Sequence, residues 1–277
     1  MTVEDSPSEN RSSKLVMVLA FSLIMFLIIE MVPVLTAPFE GTEMYGLIGT
    51  SLFFLTFFFM YMTVVVFIKK EGKESVGELG LQIEDPKAFP HLIIGAITGA
   101  IAAGLVVALA IAFGGDLRPA IEINADLITT EIIITVPTAL FEELAYRGYL
   151  MPRMSELWGK TAGILVSSLL FALFHFNWWI PLGTVPDIVI IIFTFNMMLG
   201  GIVLSLSYYW SGKKLWVPIG FHFMWNFIAY ILFPVYPRVP VVSPELWQIE
   251  WGLTTILGFL FGLSLIWMLL SFLKEKK

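Results

Sequence analysis

"LFEELAYRGYL", residues 140–150, closes a long apolar run. Two adjacent glutamates and an arginine stand where the surrounding residues read as a helix in lipid. A charge near the bilayer centre costs at least ~2.5–3.5 kcal/mol on insertion scales, so such a residue is kept for pairing or for function. Glu143 and Arg147 are four apart with the acid first, the favourable order for a helical ion pair. Glu142 is rotated from Glu143 by about 100°. The spacing therefore predicts that Glu143 fixes Arg147 and that Glu142 faces something else. The competing reading has both glutamates sharing one arginine as packing.

The rest of the chain agrees with a lipid setting. Of its 277 residues, 58% are hydrophobic and only 14% charged, whereas a soluble domain is roughly 25% charged. Eight segments are long enough to cross a bilayer, at about 20 residues each. They run over 15–37, 44–68, 90–113, 127–150, 161–180, 186–210, 215–235 and 251–273. The expected fold is all-α: a polytopic integral membrane protein, a bundle of about eight transmembrane helices around an intramembrane polar cavity. The whole chain, 1–277, reads as a single transmembrane domain. The first segment is too long, and wrongly flanked, for a cleaved signal peptide. The longest loop, 69–89, is charged and is expected to cover one face. "GAITG" (Gly95 and Gly99) permits close helix packing.

Loop charges set the orientation. Thirteen of the sixteen Lys and Arg residues fall on the side of the N-terminus, and only Arg118 and Arg238 on the other, with Arg147 inside. The positive-inside rule then places both termini in the cytoplasm, which an even number of spans satisfies. No basic patch is interleaved with aromatics, so no nucleic-acid partner is expected. The chain has no cysteine, which excludes disulfides and thiol nucleophiles.

Glu30, Glu131, Asp187 and His91 lie near segment ends, where interfacial solvation would account for them. Three other residues sit deeper. His222 lies eight residues past Lys214, about 12 Å of helix, and Asn226 shares its face one turn on. His175 lies fifteen residues past Lys160, nominally ~22 Å, so its level relative to Glu142 depends on helix tilt. There is no H-E-x-x-H zinc signature and no G-x-S-x-G turn to present Ser167 or Ser168. Glu with His, and a second His with Asn, remain. Glu142 could take a proton from water that His175 orients, and His222 with Asn226 could donate to an oxyanion. By residue type this is one of several options; a proton relay through the same groups is another.

These motifs resemble a known family. "EELAYR" (Glu142, Glu143, Arg147) is similar to the EExxxR motif of the CAAX protease and bacteriocin-processing (Abi) family. "FALFH" (Phe171, His175) matches its FxxxH and "HFMWN" (His222, Asn226) its HxxxN, in the same order on successive helices. The resemblance covers about 125–230. It implies a type II CAAX prenyl endopeptidase, or Ras-converting enzyme, which releases the last three residues after a prenylated cysteine. Carried over by motif position, Glu142 would be the general base, His175 its partner on water, and His222 and Asn226 the oxyanion hole, with Glu143 and Arg147 in support. The partners implied are a prenylated CAAX-type protein or peptide and membrane lipid. No cofactor is expected, although a set of Glu and His could in principle hold zinc. The site would need an opening towards the cytoplasm and a lateral gap for the prenyl chain. The Trp178–Trp179 pair is a candidate either for a marker of the outer interface or for a cavity wall. The plasma membrane is expected if the source is prokaryotic, towards which the short loops lean, and the endoplasmic reticulum if it is eukaryotic. The alternatives are a proton-coupled transporter and a non-catalytic bacteriocin-immunity protein.

Overall fold

The computed structural model describes residues 7–72, 75–176, 183, 185–233 and 246–275. Helices α1 (Pro7–Thr36), α2 (Met44–Lys70) and α3 (Ala88–Phe113) come first, followed by α4 (Ala125–Glu143). The chain then continues without a break through a π-helical stretch, Leu144–Leu150, into α5 (Met151–Trp158). After it come α6 (Lys160–Phe174), α7 (Asp187–Trp210), α8 (Trp216–Leu232) and α9 (Thr254–Glu275). Among the described residues no strand occurs, and counting α4–α5 as one, the chain makes eight helical passes. Helix is the form that satisfies every backbone group inside hydrocarbon without a partner segment. Five helices (α1, α2, α3, α7 and α9) are long and apolar enough to cross a membrane by themselves. Helices α6 and α8 are shorter.

The outer surface is apolar, as lipid requires. Val16, Leu19, Leu23 and Leu27 recur every three or four residues along one exposed stripe of α1. The interior splits into two clusters. One joins α1, α2, the π stretch, α5 and α6, with Phe21 packed between Phe67 and Tyr149 at 5.3 and 4.3 Å. The other joins α3, α7, α8 and α9, with Trp225 stacked on Phe259 at 4.1 Å. Helix α4 meets α8 along the seam between them.

Glycine sets the position of α8. A Cβ at Gly95 would lie 2.1 Å from the Val217 carbonyl oxygen, and one at Gly99 2.5 Å from that of Phe221. The two helices therefore touch backbone to backbone, which only small residues allow. The "GAITG" pair thus fixes the helix that carries His222.

One end of the bundle gathers the basic residues. Arg153 donates to Glu71, as does the Tyr149 hydroxyl at 2.8 Å. The 75–87 loop is tied to the α7–α8 turn: the Leu215 N–H donates to the Gly80 carbonyl at 3.1 Å, and Lys214 pairs with Asp85 at 2.9 Å. At the other end Arg118 caps α8, donating to the carbonyls of Ile231 at 2.9 Å and Tyr230 at 3.1 Å.

Several expectations need correction. Helix α6 ends at Phe174, short of 180, and α9 begins at Thr254 rather than 251. Asp187 is exposed, but Glu30, Glu131 and His91 retain only 5%, 8% and 6% of their surface. Neighbouring helices rather than interfacial water surround these three; Tyr209 and Leu270 share a cavity with His91. Trp178, Trp179 and Arg238 lie outside the described residues.

Candidate active site

The π stretch follows directly on Glu142 and Glu143 and is buried throughout. A single π turn widens the helix and re-aims the side chains around it. At this junction Arg147 Nη1 donates to Glu143 Oε1 at 2.9 Å, with both side chains essentially without solvent contact. The guanidinium also lies 4.3 Å from the centre of the Phe171 ring. The predicted pair is present, and Glu143 does more than hold Arg147. The same oxygen is 2.9 Å from His222 Nδ1 across the α4–α8 seam. A carboxylate accepts, so Nδ1 carries the proton that fixes this ring.

The structure settles the level of His175. It caps the end of α6, and its Nε2 lies 3.7 Å from Glu142 Oε2. His222 Nε2 approaches the same oxygen at 3.8 Å. His175 Nδ1 lies 2.6 Å from the Phe171 carbonyl, which can only accept, so Nδ1 donates and Nε2 presents a lone pair when the ring is neutral. The Phe171 ring packs on the imidazole at 4.3 Å. The phenylalanine of "FALFH" therefore orients His175 through both its carbonyl and its ring.

Glu142 Oε2 is buried without a hydrogen-bond partner among the described residues. Separations of 3.7 and 3.8 Å are too long for direct hydrogen bonds. A buried acceptor flanked by two imidazoles at that spacing can share a small polar molecule with them. Next to the imidazoles is a cavity of about 210 Å³, lined by His175, His222 and Asn226. Its other walls are mainly aromatic, with Phe193, Trp225 and Trp251 among them.

The cavity continues from His222 past Asn226 and Tyr230 to the turn before α9. Its lining thus runs from the imidazoles away from the α7–α8 turn at the basic end.

Ser167 donates to the Ile164 carbonyl at 3.2 Å, and Ser168 lies against Gly201; neither lines the cavity. Two further residues were missed. Tyr146 is fully buried, and its hydroxyl has no hydrogen-bond partner among the described residues. Its spacing of four from Glu142 was the available signal. Glu250 lines the cavity from outside the motif region, and no sequence pattern marked it. No group of three or more His, Asp or Glu side chains among the described residues is arranged to hold a metal ion.

Residues 124–228 match the family model described as "Type II CAAX prenyl endopeptidase Rce1-like". The matched region begins just before α4 and ends within α8, so it contains all three motifs. A search of curated proteins found no match. The family match supports a CAAX-type intramembrane protease in general, a hydrolase of peptide bonds in a multi-pass membrane protein.

Proposed function

We propose, with the Rce1-like domain at 124–228 as premise, that this protein cleaves the peptide bond after a prenylated cysteine and that Glu142 activates the attacking water. One observation carries the reading: Glu142 Oε2 is buried, has no hydrogen-bond partner among the described residues, and faces the Nε2 atoms of two histidines at 3.7 and 3.8 Å.

The chemistry follows from the donors and acceptors. Water gives one hydrogen bond to Glu142 and a second to the Nε2 lone pair of His175. Glu142 takes the first proton as the oxygen attacks the carbonyl carbon. The oxyanion accepts from the Asn226 amide and from His222 Nε2, which can donate only while both ring nitrogens are protonated. The carbon–nitrogen bond then breaks, and Glu142 returns its proton to the leaving amine. Glu143 and Arg147 touch no reacting atom; they hold His222. No step of this scheme calls on a metal.

The lipid anchor of such a substrate keeps its C-terminus at the bilayer. Glu142 lies near the middle of the continuous helix 125–158, roughly 25 Å from either end at 1.5 Å per residue. The scissile bond must therefore be drawn into the bundle. The basic end, with both termini, is assigned to the cytoplasm by the positive-inside rule. The membrane is the plasma membrane in a prokaryote and the endoplasmic reticulum in a eukaryote.

The test is cleavage of a farnesylated CAAX peptide by the purified, reconstituted protein. Tripeptide release should vanish in Glu142→Ala and survive a strong chelator. Asn226→Ala should lower kcat by about 10²–10³, the usual cost of one oxyanion donor. Cleavage unchanged in Glu142→Ala or His175→Ala would remove the mechanism. Glu142-dependent proton flux without cleavage would point to a transporter instead.

A further inference from the structure

We propose that Glu250 is a specificity-determining residue of the cavity, favouring substrates with a cationic side chain beside the scissile bond and disfavouring acidic ones. The inference rests on the reading of this cavity as the peptide site.

Glu250 is the only carboxylate among the described residues that line the cavity. Around it the wall is aromatic: Trp251 stacks on Phe193 at 4.2 Å, and Phe259 and Tyr230 stand nearby. An acid placed in such a wall needs a reason, because burying a charge without a partner is costly.

The backbone there is also unusual. Glu250 has φ +69°, a left-handed conformation that a residue with a side chain seldom adopts. Such strain persists only where surrounding contacts over-determine it, and it concentrates at functional sites. Two side chains enforce it. Asn196, fully buried on α7, donates to the Glu250 carbonyl at 2.8 Å and to the Gly252 carbonyl at 2.9 Å. The Glu250 N–H donates to Thr255 Oγ1 at 2.8 Å. Neither contact uses the carboxylate. The clamp holds the turn and leaves the acid at the cavity wall.

Among the described residues, the charged and titratable groups that act on it are His175, His222 and Glu142. Burial pushes its carboxyl up to about 7, against the opposing pull of the two histidines. Above that pH the group is an anion beside a low-dielectric space, where a substrate cation is attracted and a substrate acid repelled. Below it the group is neutral and the discrimination fades.

Three farnesylated peptides test this, differing only in the residue after the cysteine: lysine, glutamine or glutamate. At pH 8 the native protein should show a kcat/KM for the lysine peptide roughly tenfold or more above that for the glutamate peptide, about the factor that 1.4 kcal/mol represents. At pH 6 the gap should narrow. Glu250→Gln should bring the three within a few-fold of one another while still cleaving the glutamine peptide. Glu250→Lys should invert the order. An unchanged order in Glu250→Gln overturns the proposal even if the lysine variant does not fold. Failure of the native protein to cleave any of the three removes the peptidase reading, and this proposal with it.

Discussion

The two sides of the α4–α8 seam use similar residues to opposite ends. On one side Glu143, Arg147 and His222 Nδ1 meet within 2.9 Å contacts and exclude solvent. On the other, Glu142 stands off from both histidines, and a cavity begins. Adjacent positions on one helix thus part company because about 100° of rotation sends one carboxylate into the seam and the other towards open space. The first side resembles the interior of a protein. The second leaves a buried carboxylate oxygen with no hydrogen-bond partner among the described residues.

That contrast can be broken by swapping each acid for its amide. Glu143→Gln leaves the Arg147 guanidinium buried without its counter-charge, a change that costs ~3–5 kcal/mol where one partner of a buried pair is removed. Its midpoint for unfolding in detergent should fall steeply, and cleavage should fall with it because His222 loses its anchor. Glu142→Gln breaks no hydrogen bond within 3.5 Å and only loosens the approaches of 3.7 and 3.8 Å to the two imidazoles, so its unfolding should change less than that of Glu143→Gln. Its turnover should drop by ~10²–10⁴, the range attributed to a general acid–base group. Equal unfolding losses in the two variants would show that the sides are not distinct.

Some of this was legible in the sequence, and the boundary is physical. The Glu143–Arg147 pair follows from i, i+4 geometry, which is the same in every helix. The divergence of Glu142 follows from the same periodicity. The bond from His222 to Glu143 does not, because it depends on the rotation of α8 against α4. That rotation is set by the Gly95 and Gly99 contacts of a third helix, α3. The convergence of His175 on Glu142 hangs on where α6 ends, and a continuous apolar run through residue 180 hid that end. Glu250 was invisible for a different reason: a strained turn positions it, and its clamp, Asn196, lies 54 residues away in sequence. The burial of Glu30 and Glu131 was likewise unreadable, since distance along a helix gives depth but not which neighbour covers a side.

The glycine contacts offer a sharper probe, with a smaller effect. Gly99→Val forces a branched side chain against the Phe221 backbone, where even a Cβ would sit 2.5 Å from the carbonyl oxygen. Overpacking of this kind costs about 1–3 kcal/mol. Because the strain falls on the helix that carries His222 and Asn226, turnover should decline beyond what the stability loss explains. Gly104, at which an added Cβ meets nothing within 4 Å, is the control on the same helix. Gly104→Val should leave turnover unchanged; a matching loss there would mean that the whole of α3, rather than its contact with α8, tunes the site.

The smallest effect is expected where a charge pair has solvent on both sides. Lys14 and Glu156 are 2.8 Å apart at the basic end, yet their side chains retain 47% and 54% of their exposure. Water screens such a pair, and holding two long side chains together costs entropy, so the net contribution is about 0–1 kcal/mol. Lys14→Ala should therefore barely shift unfolding and should leave cleavage intact, although its contact distance matches that of the Glu143 pair. A loss of several kcal/mol at Lys14 would mean that distance, not burial, governs these ion pairs, and the division between the two sides of the seam would lose its physical basis.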